Sequence, residues 1–255
     1  MKSLYARLAA DWDRLFPPDA LRESFLEKLL SPLNGLNVIE VGCGSGATAL
    51  FLASAGCAVE ASDLDQAMVD VAQASAQKKD LLYAPDQGQP GPGTVRFSVQ
   101  DMLAGLNPPP GDGADAVLCL GNTLPHLSGQ DETLVFFRRA AAALKPGGTI
   151  VVQILNYPRI RDLGGLVLPE LRSGNLIFKR SQTFNSRKGR ILFETEVSDG
   201  DTRETRSHEL FPLSTADLTV AANQAGLTPQ GVFGDWSETP FGTDSPWLAQ
   251  VFRKS

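Results

Sequence analysis

Apolar positions along the chain change period twice, and those changes outline its architecture. From Ser3 to Leu30 they recur at helical spacing, as in Leu21, Phe25, Leu29 and Leu30. The pattern breaks at Pro17–Pro18, where one helix stops and Asp19 can cap the next. After Asn34-Gly35, short apolar runs alternate with helical patterns. NVIEV reads as a strand, Ala47 to Ala55 as a helix, CAVEAS as a strand and Gln66 to Gln77 as a helix. TVRFSV and ADAVLCL then read as strands, Glu132 to Leu144 as a helix and GTIVVQIL as a strand, with KPGG (Lys145–Gly148) a turn between the last two. The proline- and glycine-rich stretches APDQGQPGPGT and NPPPGDG read as surface loops. After Asn156 the period falls to two: NLIFKRSQTF, GRILFETEV and ETRSHELFPL alternate apolar and polar residues. A helix over Thr215–Ala225 and two strands, LTPQGVFGDW and SPWLAQVFRK, follow. The expected fold is therefore α/β: a doubly wound, mostly parallel, seven-stranded Rossmann-like sheet with a small antiparallel sheet inserted. Its expected divisions are a helical lid over residues 1–33, a main domain over 34–156 and 212–255, and an inserted substrate-side subdomain over 157–211.

Composition narrows the function classes. The net charge of −6 and the absence of a long basic segment argue against a nucleic-acid or anionic-membrane partner. Cys43, Cys57 and Cys119 form no CxxC pair, which suits a reducing cytoplasm with neither a disulfide framework nor a metal site. The opening MKSLYARLAADWDRLF lacks a long apolar core and a small-residue cleavage site, so it does not read as a signal peptide.

The stretch VIEVGCGSGATAL runs from a strand through three alternating glycines, Gly42, Gly44 and Gly46, into a helix. Such a loop lets backbone N–H groups approach a ligand closely. The spacing is G-x-G-x-G, whereas the dinucleotide fingerprint places its third glycine one residue later. Glu40 would repel a pyrophosphate there but suits a ligand carrying an ammonium or sulfonium charge. Asp63 stands 21 residues after Gly42 at the end of the second strand, where a carboxylate can grip vicinal ribose hydroxyls. Asp101 ends the third strand in VQDM, placed to accept from an adenine amino group, with Leu64 and Met102 as apolar faces for the ring. Three such features at successive strand ends lie on the ligand-binding edge of an open α/β sheet.

In EVGCGSG, SDLDQAM, VQDM and LKPGG the chain resembles the class I S-adenosylmethionine-dependent methyltransferases. That resemblance implies S-adenosyl-L-methionine as cofactor, with S-adenosyl-L-homocysteine as product. It assigns the methionine and ribose portion to Gly42, Gly44 and Gly46, ribose to Asp63, adenine to Asp101 and the amino group to Glu40. It also places Met68, in SDLDQAM, and Leu120, in AVLCLGN, on the cofactor side. AVLCLGNTLPHL is similar to the fourth-strand segment of the glycine/sarcosine N-methyltransferase group, and Tyr5 and Trp12 are similar to the aromatics of its N-terminal closing segment. The resemblance implies an in-line methyl transfer to a small-molecule acceptor, most simply an amine nitrogen. Asn122 and His126 are the catalytic or acceptor-side candidates. In that group an arginine precedes the Asn-Tyr pair and holds a substrate carboxylate; here Leu155 stands in its place, which points away from glycine itself. Arg159, Arg161 and Arg180 are the nearby substitutes, and Tyr157 has a weaker claim to substrate contact. O-methylation, nicotinamide-dependent oxidoreduction and non-catalytic cofactor binding remain alternatives, and oligomeric state is open.

Overall fold

The structure is a computed structural model that describes residues 4–83, 90–107 and 113–255. Much of the two proline- and glycine-rich loops lies outside these residues. Seven strands form one sheet: β1 (Asn37–Val41), β2 (Ala58–Asp63), β3 (Thr94–Val99), β4 (Ala114–Cys119), β5 (Leu144–Leu155), β10 (Leu227–Phe233) and β11 (Trp247–Lys254). Their order is β10-β11-β5-β4-β1-β2-β3. β11 runs antiparallel to both β5 and β10, while the other pairs are parallel. A second, four-stranded antiparallel sheet comprises β6 (Gly165–Ser173), β7 (Leu176–Asn185), β8 (Arg190–Ser198) and β9 (Arg203–Leu210).

Strand alternation divides the core between the two faces of the large sheet. Ile39 and Val41 of β1 pack on one face with Phe136, Phe137 and Ala140 of α6 (Gln130–Ala143) and Leu218 and Ala222 of α8 (Thr215–Gln224). Val38 packs on the other face with Phe25 and Leu26 of α3 (Ala20–Leu30), Leu50 and Leu52 of α4 (Ala47–Ser54) and Val69 and Ala72 of α5 (Gln66–Lys78). Asp19 caps α3 by accepting from the amides of Leu21 and Arg22, as its place after Pro17–Pro18 suggests. A reciprocal Ser214–Asp217 capping box starts α8. Among the described residues no helix is long and apolar enough to cross a membrane.

Three local features differ from the sequence reading. Leu144 already pairs with Ala114, and pairing resumes only at Ala116 with Thr149, so KPGG bulges within β5 instead of preceding it. A short helix, α7 (Tyr157–Asp162), follows β5, with Asn156 as its cap. The inserted sheet has a fourth strand, β6, whose alternation is obscured because it is an edge with no fully buried residue and a register shift around Pro169.

Gly46 shows how tightly α4 meets the sheet. Its φ is 83°, and a Cβ there would lie 2.6 Å from the Phe97 ring and 3.0 Å from Ala72. Gly46→Ala is expected to cost about 2–4 kcal/mol, from left-handed strain plus overpacking. Urea denaturation would check this; a loss within error of zero would show that the Phe97 contact is not confining.

Candidate active site

The sheet order reverses between β1 and β4, and their C-terminal ends open a crevice of the kind that binds ligands in such folds. It contains a cavity of about 450 Å³. Gly42 and Gly44 line it from the loop after β1, Asp63, Leu64, Asp65 and Met68 from the loop after β2 and the start of α5, and Gln100, Asp101 and Met102 from the loop after β3. Gly121, Thr123 and His126 come from the loop after β4, and Tyr5 and Trp12 from the N-terminal segment.

The glycine loop is tied to the second strand. Gly44 N–H donates to Asp63 Oδ2 at 2.8 Å and Cys43 N–H to the Ser62 carbonyl at 3.0 Å. Asp63 Oδ1 accepts from Asp65 N–H at 2.9 Å. With the Leu64 amide also contributing, backbone donors occupy part of the Asp63 carboxylate and leave acceptor capacity for a ligand. Burial pushes its carboxyl above the usual range, opposed by these amide bonds. Thr123 fills the space that a side chain at Gly42 would need, 2.4 Å from such a Cβ. Leu64 is 72% exposed, an apolar side chain left uncovered beside Asp63.

The N-terminal segment crosses this opening as α1 (Leu4–Leu8), a 3-10 turn and α2 (Trp12–Leu15). Trp12 lies over Gly44, packs against Phe16 with centroids 4.5 Å apart, and meets Tyr5 edge-on at 5.7 Å. Ser45 donates to Asp13, Ser173 of β6 donates to Asp11, and Arg7 pairs with Asp199 after β8. One short segment therefore joins the glycine loop to the inserted sheet.

Comparison with known proteins bears on what this cavity serves. A methyltransferase domain family model matches residues 38–148. The chain is 26% identical over 229 residues to the cypemycin N-terminal methyltransferase of a Streptomyces species, covering 88% of this chain and 85% of that protein. It is 25% identical over 231 residues to the glycine/sarcosine N-methyltransferase of Parasynechococcus marenigrum (strain WH8102), covering 88% and 76%. The structure of the CcbJ methyltransferase from Streptomyces caelestis superposes with a TM-score of 0.77 at 26% identity, covering 98% and 96%. Residues 38–148 form a methyltransferase domain, and the protein is an S-adenosylmethionine-dependent methyltransferase.

The chemistry of the wall fits that cofactor: a carboxylate with free acceptor capacity, an uncovered apolar side chain for a flat ring, and backbone that approaches through glycine. Ten of the residues singled out from sequence line the cavity of the methyltransferase, namely Tyr5, Trp12, Gly42, Gly44, Asp63, Leu64, Met68, Asp101, Met102 and His126. Four do not. Glu40 shares a strand face with Val38, so its carboxylate turns under α4 toward Thr48 and the Ala49 amide, and it is only 3% exposed. Gly46 serves helix–sheet packing. Leu120 is buried in the core beneath α3 and α4. Asn122 stands at φ 66° and its Oδ1 accepts from Leu155 N–H at 3.0 Å and from the Tyr157 hydroxyl at 2.9 Å. Asn122 thus fastens the end of β5, and Tyr157 is a buried partner in that bond.

Sequence reading passed over Asp65, Gln100, Gly121 and Thr123, although each adjoins or nearly adjoins a residue it did select. Of the suggested substitute arginines, Arg161 pairs with its neighbour Asp162, and Arg180 lies over the rings of Phe16 and Phe178.

Burial pushes the Glu40 carboxyl from its ordinary 4.5 up to about 7, against the pull of Arg22 and the Ala49 amide. A carboxyl raised in the folded state stabilises the fold fully below about 4.5, and that contribution is lost as pH rises through about 7. Glu40→Gln should therefore remove a stability loss of up to about 3 kcal/mol across this window. Urea unfolding of both proteins from pH 4.5 to 8 tests it; parallel pH profiles would refute the assignment.

Proposed function

We propose that this methyltransferase places its methyl group on the nitrogen of a small-molecule amine. The observation that carries the reading is the charge of the cavity wall. Asp63, Asp65 and Asp101 line it, while among the described residues no lysine or arginine does. A wall of that sign favours cations, whether a sulfonium or an ammonium, and disfavours phosphorylated or carboxylate-rich acceptors. Two of the relatives carry names that specify nitrogen as the site of methylation or an N-terminus as the target.

In this reading Asp63 accepts from the two ribose hydroxyls, Asp101 from the adenine amino group, and Leu64 and Met102 flank the ring. Gly42 and Gly44 allow the close backbone approach, and Trp12 with Tyr5 closes the opening against water. When bound, S-adenosylmethionine supplies an electrophilic methyl group on a sulfonium that is already a good leaving group. The residues then have chiefly to position the acceptor, a contribution worth roughly 7–11 kcal/mol when orientation is complete. His126 is the polar side chain of the wall that adjoins the acceptor-side loop. Burial and the neighbouring His208 push it down to about 4, so its ring is neutral near pH 7. A neutral imidazole can accept a hydrogen bond from an amine without repelling a cation.

Titration calorimetry with S-adenosylhomocysteine is expected to show binding, weakened at least tenfold in Asp63→Ala. Methyl transfer from labelled S-adenosylmethionine to a panel of amines, phenols and amino acids is expected to favour amines. Transfer confined to phenolic oxygen would replace this reading with O-methylation. Binding without transfer to any acceptor would favour a non-catalytic role.

A further inference from the structure

The inserted sheet has a face that the cofactor site does not account for. Cross-strand pairing places Phe178, Arg180, Gln182 and Phe184 of β7 on the same face as Val197, Thr195, Phe193 and Ile191 of β8. The same face continues on β9 through Glu204, Arg206, His208 and Leu210. Both ends of this face are anchored by apolar packing. Phe178 and Val197 pack with Leu8 and Leu15 of the N-terminal segment, while Ile191 and Leu210 join the core around α6 and α8.

Between these anchors the face turns polar. Gln182 is 2% exposed, yet neither its Oε1 nor its Nε2 has a hydrogen-bond partner. His208 Nε2 is likewise closed off without a partner, as is Arg180 Nε. Gln182, Phe193 and His208 form one row across three strands. One end of the row touches a residue of the cavity wall: His208 stacks on the cavity-lining His126, centroids 4.8 Å apart and planes 26° from parallel, and Phe193 meets His208 edge-on at 5.2 Å. The chain contains only these two histidines, and they meet where the inserted sheet faces the loop after β4.

Buried polar atoms in native proteins almost always find partners, and an amide leaving both ends unmatched is unusual. The unmatched set here is an amide oxygen, an amide N–H₂ and an imidazole nitrogen, all uncharged near neutral pH, together with a single N–H, Nε, of the Arg180 guanidinium. Burial lowers the affinity of His208 for a proton, as it does for His126. A carboxylate would require a cationic clamp. Leu155 cannot provide one, and Arg180, held over two aromatic rings with Nη2 on the Pro169 carbonyl, leaves only Nε unmatched among its buried donors, one N–H and not the bidentate pair a carboxylate takes. A hydroxyl, being donor and acceptor together, matches an amide that offers both.

We propose that Gln182 and His208, with His126 at the cavity wall, form an acceptor subsite that selects an amine bearing a neutral hydroxyl group over an amino acid. The assignment rests on the N-methyltransferase reading above. Gln182 is its specificity-determining residue, and His208 is a positioning residue that orients the His126 ring.

Gln182→Leu separates this role from a structural one. Removing an unmatched buried amide is expected to raise the urea midpoint, leave S-adenosylhomocysteine affinity within twofold, and lower methyl transfer to glucosamine and 2-aminoethanol at least tenfold. The unaltered enzyme is expected to methylate these two probes at least tenfold faster than glycine or sarcosine. In His208→Phe, which keeps a stacked ring, cofactor affinity should hold while KM for the amino alcohols rises more than kcat falls. A lowered urea midpoint in Gln182→Leu would show that the amide is satisfied internally and would overturn the subsite, whatever acceptor is used. Preference for glycine by the unaltered enzyme would overturn it equally. Absence of S-adenosylhomocysteine binding or of any amine methylation would instead count against the N-methyltransferase reading, with the urea arm still judging Gln182.

Discussion

The bond from Gly44 N–H to the Asp63 carboxylate is the constraint on which the site depends. It joins the loop after β1 to the end of β2, so the glycine backbone and the carboxylate proposed to meet the ligand are fixed to one another. Parallel pairing of β1 with β2 brings these two ends to the same edge, and the Cys43–Ser62 backbone bond closes the arrangement beside it. Because a carboxylate can accept about four hydrogen bonds, the structural use of Asp63 does not exhaust its capacity for a ligand.

Around that point the protein builds a chamber from three sources. The large sheet supplies the anionic wall, the N-terminal segment supplies the aromatic cover, and the inserted sheet supplies the face that meets His126. These parts are coupled by Ser45–Asp13, Ser173–Asp11 and Arg7–Asp199. Such exposed or partly exposed polar contacts contribute only modestly to stability. They set where the segment lies, while the packing of Phe178 and Val197 on Leu8 and Leu15 holds it there.

Much of the fold was legible in the sequence because the signals were local and repeated. Strand-to-helix alternation, the Asp19 cap and the glycine loop each follow from periodicity and backbone stereochemistry. The edge strand β6 was not legible, since none of its residues is fully buried and its alternation breaks at Pro169 and Glu170. Glu40 does not line the cavity for a geometric reason: two residues before the cavity-lining Gly42 is still within the strand, and the pleat sends that side chain to the α4 face. Asn122 looked free because its partners, Leu155 and Tyr157, lie more than thirty residues away along the chain.

The sequence by itself determined the type of sheet, the edge at which a ligand binds and the acids at that edge. These follow from the order of elements and from residues within a few positions of one another. Tertiary structure alone decided which polar groups remain available. Asn122 became a fastener and Gln182 an unmatched amide because hydrogen-bonding capacity depends on neighbours that only the folded chain brings together. His126 and His208, 82 positions apart, became a stacked pair for the same reason: no local pattern records which face of an inserted sheet will close over a distant loop.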